Sequence, residues 1–116
     1  MSLNERKVFW VGSSLKDLKE LGKDVSIEMG AALSEVQNGR SPENVVSFKE
    51  GGSGVMEIRV SIDKETYRTM YVAKLKKGIY VLHAFHKKSS KGKATPPKDV
   101  AKIKARYTEA LDSDKR

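Results

Sequence analysis

The sequence of 116 residues contains no cysteine, and this absence excludes several chemistries at once. Without cysteine there is no disulfide framework, no thiolate nucleophile and no cysteine-based zinc site. The glycine-rich phosphate loop of nucleotide-binding proteins and the His-Glu-x-x-His pattern of zinc hydrolases are also missing. No cluster of carboxylates suits a divalent metal. We therefore expect a protein that works without a metal or a cofactor.

Long apolar runs are absent as well. The longest run, residues 79–85, is interrupted by Tyr80 and His83 and is much shorter than the roughly 20 residues that span a bilayer. The first residues carry charges with no apolar stretch behind them, which is not the pattern of a secretory signal. The sequence therefore predicts a cytoplasmic protein without membrane contact.

Acidic residues are scarce in only one half of the chain. Residues 1–58 hold 7 Lys/Arg and 9 Asp/Glu, a balance of −2, whereas residues 59–116 hold 16 and 6, a balance of +10. A basic surface attracts polyanions over about a Debye length, so RNA, DNA or the ribosome suits this half better than a neutral substrate. A solvated lysine-rich face that only confers solubility explains the charge equally well.

Apolar periodicity divides the chain into helices and strands. Leucines and a methionine at helical spacing predict two helices, at residues 14–21 and 23–38. An apolar stripe after the prolines at 96 and 97 predicts a last helix. Alternating and β-branched runs predict strands at residues 7–11, 45–49, 55–62, 66–75 and 79–86.

This order of elements predicts an α+β fold. We expect an antiparallel β-sheet with two N-terminal helices packed on one face, and a C-terminal helix, so that helices cover one face of the sheet. The length suits a single domain, residues 1–112, followed by a frayed tail at 113–116.

The two histidines lie three residues apart in one predicted strand, so they point to opposite faces and do not share a metal. His83 has apolar neighbours, and a core imidazole is the alternative to a catalytic role. His86 precedes a lysine pair at the strand end, where a general acid or base could meet RNA.

The most informative group of candidate site residues is a set of basic side chains on neighbouring predicted strands. Arg59, Arg68 and the pair Lys87–Lys88 come from three consecutive strands, and neighbouring strands lie about 5 Å apart. Cations around a phosphate suit RNA cleavage by attack of a 2′-hydroxyl on its own phosphate, which needs no metal. A surface that only binds phosphate fits the composition equally well. The structural alternative for Arg68 is an exposed ion pair with Glu57 on the adjacent strand.

Four blocks of sequence occur in a recognisable order. They are Glu-x-Arg at residues 57–59, Tyr-Arg-x-x-Tyr at 67–71, Leu-His-x-Phe-x-Lys-Lys at 82–88, and Thr-Pro-Pro at 95–97 before a helix. Together the blocks resemble the phage-derived, HigB-like branch of the RelE toxin superfamily. The resemblance covers roughly residues 8–110.

The resemblance implies a RelE-like fold and a messenger-RNA endoribonuclease that acts on the ribosome. It also implies a cognate antitoxin of the helix-turn-helix type, encoded beside the toxin. Arg59, Arg68 and Lys88 match the family's cationic positions. Many members have a catalytic tyrosine after the last of these positions, and residues 89–97 contain none. The candidates for the general base are therefore His83, His86 and Glu57. The RNA-binding residues would be Lys87, Lys91 and Lys93.

The leading hypothesis is therefore a metal-independent endoribonuclease toxin of a type II toxin–antitoxin pair. Two alternatives use the same basic patch without cleavage. One is a nucleic-acid-binding module of phage origin, and the other is a degenerate toxin kept only as the partner of its antitoxin.

Overall fold

The computed structural model describes residues 5–87 and 94–116, which form an α+β fold as predicted. None of the helices in these two ranges has both the length and the apolar character to cross a membrane. In chain order the elements are β1 (Val8–Trp10), α1 (Ser14–Glu20), α2 (Lys23–Gln37), β2 (Val45–Ser47), a 3-10 turn (Lys49–Gly51), β3 (Val55–Ile62), β4 (Glu65–Val72), β5 (Ile79–Lys87) and α3 (Pro97–Lys115).

The five strands form one sheet in the order β1-β5-β4-β3-β2. Strands β2 to β5 pair antiparallel, whereas β1 lies parallel to β5, so the expectation of a wholly antiparallel sheet is wrong at this edge. Short turns dictate the direction of β4 and β5. In the two-residue turn between β3 and β4, Asp63 and Lys64 both have positive φ, as type I′ hairpins require. No tight turn joins β1 to β5, so nothing local sets their relative direction.

Helices pack on both faces of the sheet, which corrects the expectation of a single covered face. Helices α1 and α2 cover one face, where β5 contributes Ile79, Val81 and Ala84. Helix α3 covers part of the other, where β5 contributes Tyr80, Leu82 and Phe85. Because β5 carries apolar side chains on both faces of the sheet, each face must be packed against a helix to exclude water.

Helix α3 continues through Lys115, so the frayed tail expected from residue 113 is helical. The reason is a contact that is distant in sequence. The carboxylate of Asp114 accepts hydrogen bonds from the backbone N–H groups of Lys76 (2.9 Å) and Lys77 (2.8 Å) in the connection between β4 and β5. This contact fixes the end of the helix to the sheet.

Candidate nucleic-acid interface

The face of the sheet that carries α3 also carries the two predicted arginines. In the strand register, Arg59 lies opposite Arg68, and Arg68 lies opposite Phe85. Phe85 belongs to the apolar cluster beneath α3, which identifies the face on which this row lies. We call Arg59 and Arg68 the arginine pair. The structure therefore brings together two residues that the sequence predicted to converge.

A single carboxylate joins the arginine pair. Oε2 of Glu57 accepts a hydrogen bond from Nε of Arg59 at 2.9 Å and lies 2.8 Å from Nη1 of Arg68. The side chains of Glu57 and Arg68 are only 2% and 8% exposed, whereas that of Arg59 is 46% exposed. The pairing of Arg68 with Glu57 is thus confirmed, but it is buried rather than exposed. Arg59 is the member of the pair that faces solvent.

The charges in this cluster oppose and offset one another. Burial lowers the pKa of the Arg68 guanidinium, and the charge of Arg59 adds to that effect, whereas the Glu57 carboxylate opposes it. Arginine nevertheless stays protonated in proteins. Two like charges directly opposite each other in a sheet are destabilising, and Glu57 offsets that repulsion. The three side chains together keep one net positive charge.

His83 does not reach the surface of this face. Its side chain is buried, its ring stacks on Phe85 with centroids 4.9 Å apart, and Nε2 lies 2.8 Å from Oδ1 of Asp99 in α3. An ionised carboxylate only accepts hydrogen bonds, so Nε2 carries the proton. His83 therefore joins α3 to β5 and matches the core imidazole considered as the alternative to a catalytic role.

The burial of His83 predicts a pH effect on stability. Burial lowers the pKa of His83, and this effect is larger than the increase caused by the hydrogen bond and charge of Asp99. The charges of Lys102 and Arg106 lower the pKa further. The unfolded chain therefore binds the proton more readily than the folded one. We expect the free energy of unfolding to fall as the pH drops below the ordinary value of about 6.5. Below the folded-state pKa this loss is complete.

Urea unfolding of the wild-type protein and of His83→Gln between pH 5 and 8 measures this effect. His83→Gln should lose the part of the pH dependence that begins near pH 6.5. The variant His86→Gln, which keeps His83, should retain it. Equal pH dependence in the wild-type protein and His83→Gln would show that His83 does not cause the loss of stability.

His86 lies on the other face of the sheet, as the spacing of the two histidines predicted. Its ring stacks on Tyr67 at a centroid distance of 4.7 Å, and Tyr67 packs against the core beneath α1 and α2. Nε2 of His86 lies 2.6 Å from Oε1 of Glu65. The structure therefore does not bring His86 together with the arginine pair.

The predicted RNA-binding lysines are only partly described. Nζ of Lys87 donates a hydrogen bond to the backbone carbonyl of Ala94 at 2.8 Å, and the residue is buried. The Lys87 side chain is thus held inside the protein in the described residues, and its RNA-binding role stays a prediction. Lys88, Lys91 and Lys93 lie outside the described residues.

A polar network beside the site was not predicted from the sequence. Arg106 of α3 donates to the backbone carbonyl of Leu82 at 2.9 Å and to Oγ of Ser13 at 2.9 Å, and it lies 3.3 Å from Asp17 of α1. These residues come from distant parts of the chain, and no motif links them. Within 5–87 and 94–116, no group of three or more His, Cys, Asp or Glu side chains is placed to hold a metal ion.

Comparison with known proteins gives one further finding about the chain. The model of the family described as "Phage derived protein Gp49-like (DUF891)" matches residues 16–108, a range that contains the arginine pair and most of α3. No curated protein matches the chain significantly.

Proposed function

Because the chain belongs to the Gp49-like family of phage-derived proteins, a family associated with the toxins of toxin–antitoxin systems, we propose that it is an endoribonuclease toxin of the RelE/HigB kind. Its substrate is messenger RNA, cleaved on the ribosome. Its partner is a helix-turn-helix antitoxin encoded beside it, and it acts in the cytoplasm.

The arginine pair is the observation that supports this proposal. Arg59 uses Nε for Glu57, so both terminal nitrogens of its half-exposed guanidinium can donate to the two oxygens of a phosphate. Behind it, Nε of the buried Arg68 has no hydrogen-bond partner within the described ranges. Because this atom is closed to solvent, Arg68 contributes its positive charge to the site, and Arg59 supplies the donors that a phosphate can reach.

The proposed reaction is an internal transfer of the phosphate. The 2′-hydroxyl loses its proton and attacks the adjacent phosphorus, while the bond from phosphorus to the 5′-oxygen breaks and that oxygen takes up a proton. The products are a 2′,3′-cyclic phosphate and a 5′-hydroxyl. The arginine pair stabilises the charge that grows on the phosphate oxygens, a role typically worth about 10²- to 10³-fold in rate. Lys88 keeps the cationic role that the resemblance implies.

We expect cleavage to be independent of metal, because the guanidinium groups supply the positive charge that a metal would otherwise provide. Excess chelator should leave the rate unchanged when a protein-free, unstructured RNA is the substrate. If intact ribosomes are required, their magnesium must be kept and cobalt hexammine added as a competitor. Activity lost in chelator and restored by magnesium alone would contradict this mechanism.

Mapping RNA ends in a translation reaction tests the proposed function. Purified protein is added to translating ribosomes, and new 5′ ends in the messenger RNA are located by primer extension. The proposal expects new ends that appear with the protein and disappear when its antitoxin is added. Intact messenger RNA at a protein concentration that saturates the ribosomes would refute it.

One observation favours a second candidate, a basic module that binds nucleic acid without cutting it. Two of the three candidate bases, Glu57 and His83, are buried and already engaged, and His86 lies on the other face. For either candidate, affinity for RNA should fall linearly with salt on logarithmic axes, and Arg59→Ala should reduce the slope by about 1. Gel shifts at several salt concentrations measure the slope. A slope that Arg59→Ala leaves unchanged would place the RNA elsewhere.

A further inference from the structure

We propose that Glu57 is a positioning residue of this site, which acts through Arg59 and Arg68 and not on the RNA itself. The inference rests on the proposed function and concerns how the arginine pair is held. It replaces the general-base role considered for Glu57 from the sequence.

The first argument is access. A general base must approach the proton of the 2′-hydroxyl within hydrogen-bond distance. The Glu57 side chain is 2% exposed, and the oxygen that faces the site already contacts both guanidinium groups at 2.8 and 2.9 Å. Glu57 is therefore unsuited to remove a proton from RNA.

The second argument is the shared oxygen. Oε2 of Glu57 contacts Nε of Arg59 and Nη1 of Arg68, so one atom determines the position of both guanidinium groups. Arg59 has a flexible side chain, and among the described residues its side chain has no other hydrogen-bond or ion-pair partner. Without Glu57, Arg59 would repel Arg68 and turn toward solvent. With Glu57, both guanidinium groups are held in contact with the same carboxylate oxygen.

The third argument is the strand register, which makes the arrangement rigid. Glu57 and Arg59 lie two residues apart on β3 and therefore on the same face, and Arg68 on the neighbouring strand β4 lies directly opposite Arg59. Glu57 itself lies opposite Met70, which is fully buried. A carboxylate in this apolar position is costly unless it is paired. The two arginines neutralise the buried carboxylate of Glu57, and that carboxylate holds both guanidinium groups in position.

Two substitutions separate positioning from catalysis and from folding. Glu57→Asp keeps the charge, so neither arginine loses its counter-ion, but withdraws the carboxylate by about 1.5 Å. Glu57→Gln keeps the size and removes the charge. Each variant is assayed for cleavage rate at saturating RNA, for the pH dependence of that rate, and for affinity toward RNA that is 2′-O-methylated throughout and so cannot be cleaved.

For Glu57→Asp we expect a folded protein whose cleavage rate falls about ten- to a hundredfold, as misplacement by about 1 Å can cause. Its affinity for the methylated RNA should stay within about twofold, and the acidic limb of its pH–rate profile should not move. For Glu57→Gln we expect the same loss of rate but tighter RNA binding, with a salt slope steeper by about 1, because the site gains one net positive charge. If Glu57→Gln fails to fold, the results for Glu57→Asp alone test whether Glu57 is a positioning residue.

Two results would overturn the proposal. A Glu57→Asp variant that cleaves like the wild-type protein would remove any positioning role, and an acidic limb that moves or disappears would make Glu57 the base. A wild-type protein that cleaves no RNA refutes the proposed function instead. In that case the order parameter of the Arg59 Nε–H bond, measured by ¹⁵N relaxation, still tests positioning. It should fall in Glu57→Asp, and an unchanged value would overturn the inference.

Discussion

Arg59→Ala should abolish toxicity and lower the rate of RNA cleavage a hundredfold or more, while the protein stays folded. Loss of a group that stabilises charge in the transition state typically costs about 2.7 to 4 kcal/mol of activation free energy. The Arg59 side chain is 46% exposed, and Arg68 remains as a partner for Glu57. The free energy of unfolding should therefore change by less than about 1 kcal/mol. Single-turnover cleavage and urea unfolding measure the two quantities.

Arg40→Ala provides a matched control for Arg59→Ala. It removes the same charge from an exposed arginine whose partner is Glu35, at 2.9 Å. Because Arg40 follows α2, away from the arginine pair, its loss should leave cleavage within about twofold of the wild-type rate. If Arg40→Ala and Arg59→Ala reduce cleavage equally, the effect is one of net charge. If Arg59→Ala remains fully active, Arg59 does not belong to the site.

Arg68→Met should destabilise the protein far more than Arg59→Ala. Removing one partner of a buried ion pair leaves an uncompensated buried charge and typically costs about 3 to 5 kcal/mol. The upper part of this range applies if Arg59 cannot compensate Glu57 alone, and the lower part applies if it can. Urea unfolding measures the loss, and removal of the exposed pair in Arg40→Ala should destabilise the protein far less.

A double variant identifies the cause of that loss. Glu57→Leu combined with Arg68→Met removes both buried charges, and apolar replacement of a buried pair is often neutral or stabilising. We expect the double variant to recover most of the stability lost in Arg68→Met, while cleavage stays absent. If the double variant is as unstable as the single one, the loss arises from packing and not from the unpaired carboxylate.

The order of the helices and strands could be predicted because local patterns determine it, although the strands predicted at 45–49 and 66–75 end earlier, at Ser47 and Val72. The alternation at residues 55–62 and the turn at Asp63 and Lys64 define the β3–β4 hairpin, and that hairpin places Arg59 opposite Arg68. The parallel pairing of β1 and the location of α3 on the second face could not be predicted in this way. Both depend on contacts between residues far apart in sequence, such as the hydrogen bonds between Asp114 and the turn at Lys76 and Lys77.

The candidate site was predictable in its residues but not in its burial. Strand neighbours suggested that Arg68 and Glu57 would pair, yet the expected exposed pair is buried beneath the half-exposed Arg59. His83 shows the same limit, because its partner Asp99 lies 16 residues away on another element. Exposure depends on how α3 packs across the sheet, and the pattern of residues in β3, β4 and β5 does not contain that information.

The chemistry of the RNA ends tests the central claim most directly. The fragments that the wild-type protein produces from an RNA are analysed by mass spectrometry, which identifies the groups on their new 3′ and 5′ ends. The same RNA incubated with Arg59→Ala is analysed beside them. We expect a 2′,3′-cyclic phosphate or its 3′-phosphate product on one fragment and a 5′-hydroxyl on the other, with both absent from the Arg59→Ala sample. Fragments with a 5′-phosphate, or the same ends in equal yield from Arg59→Ala, would contradict the account.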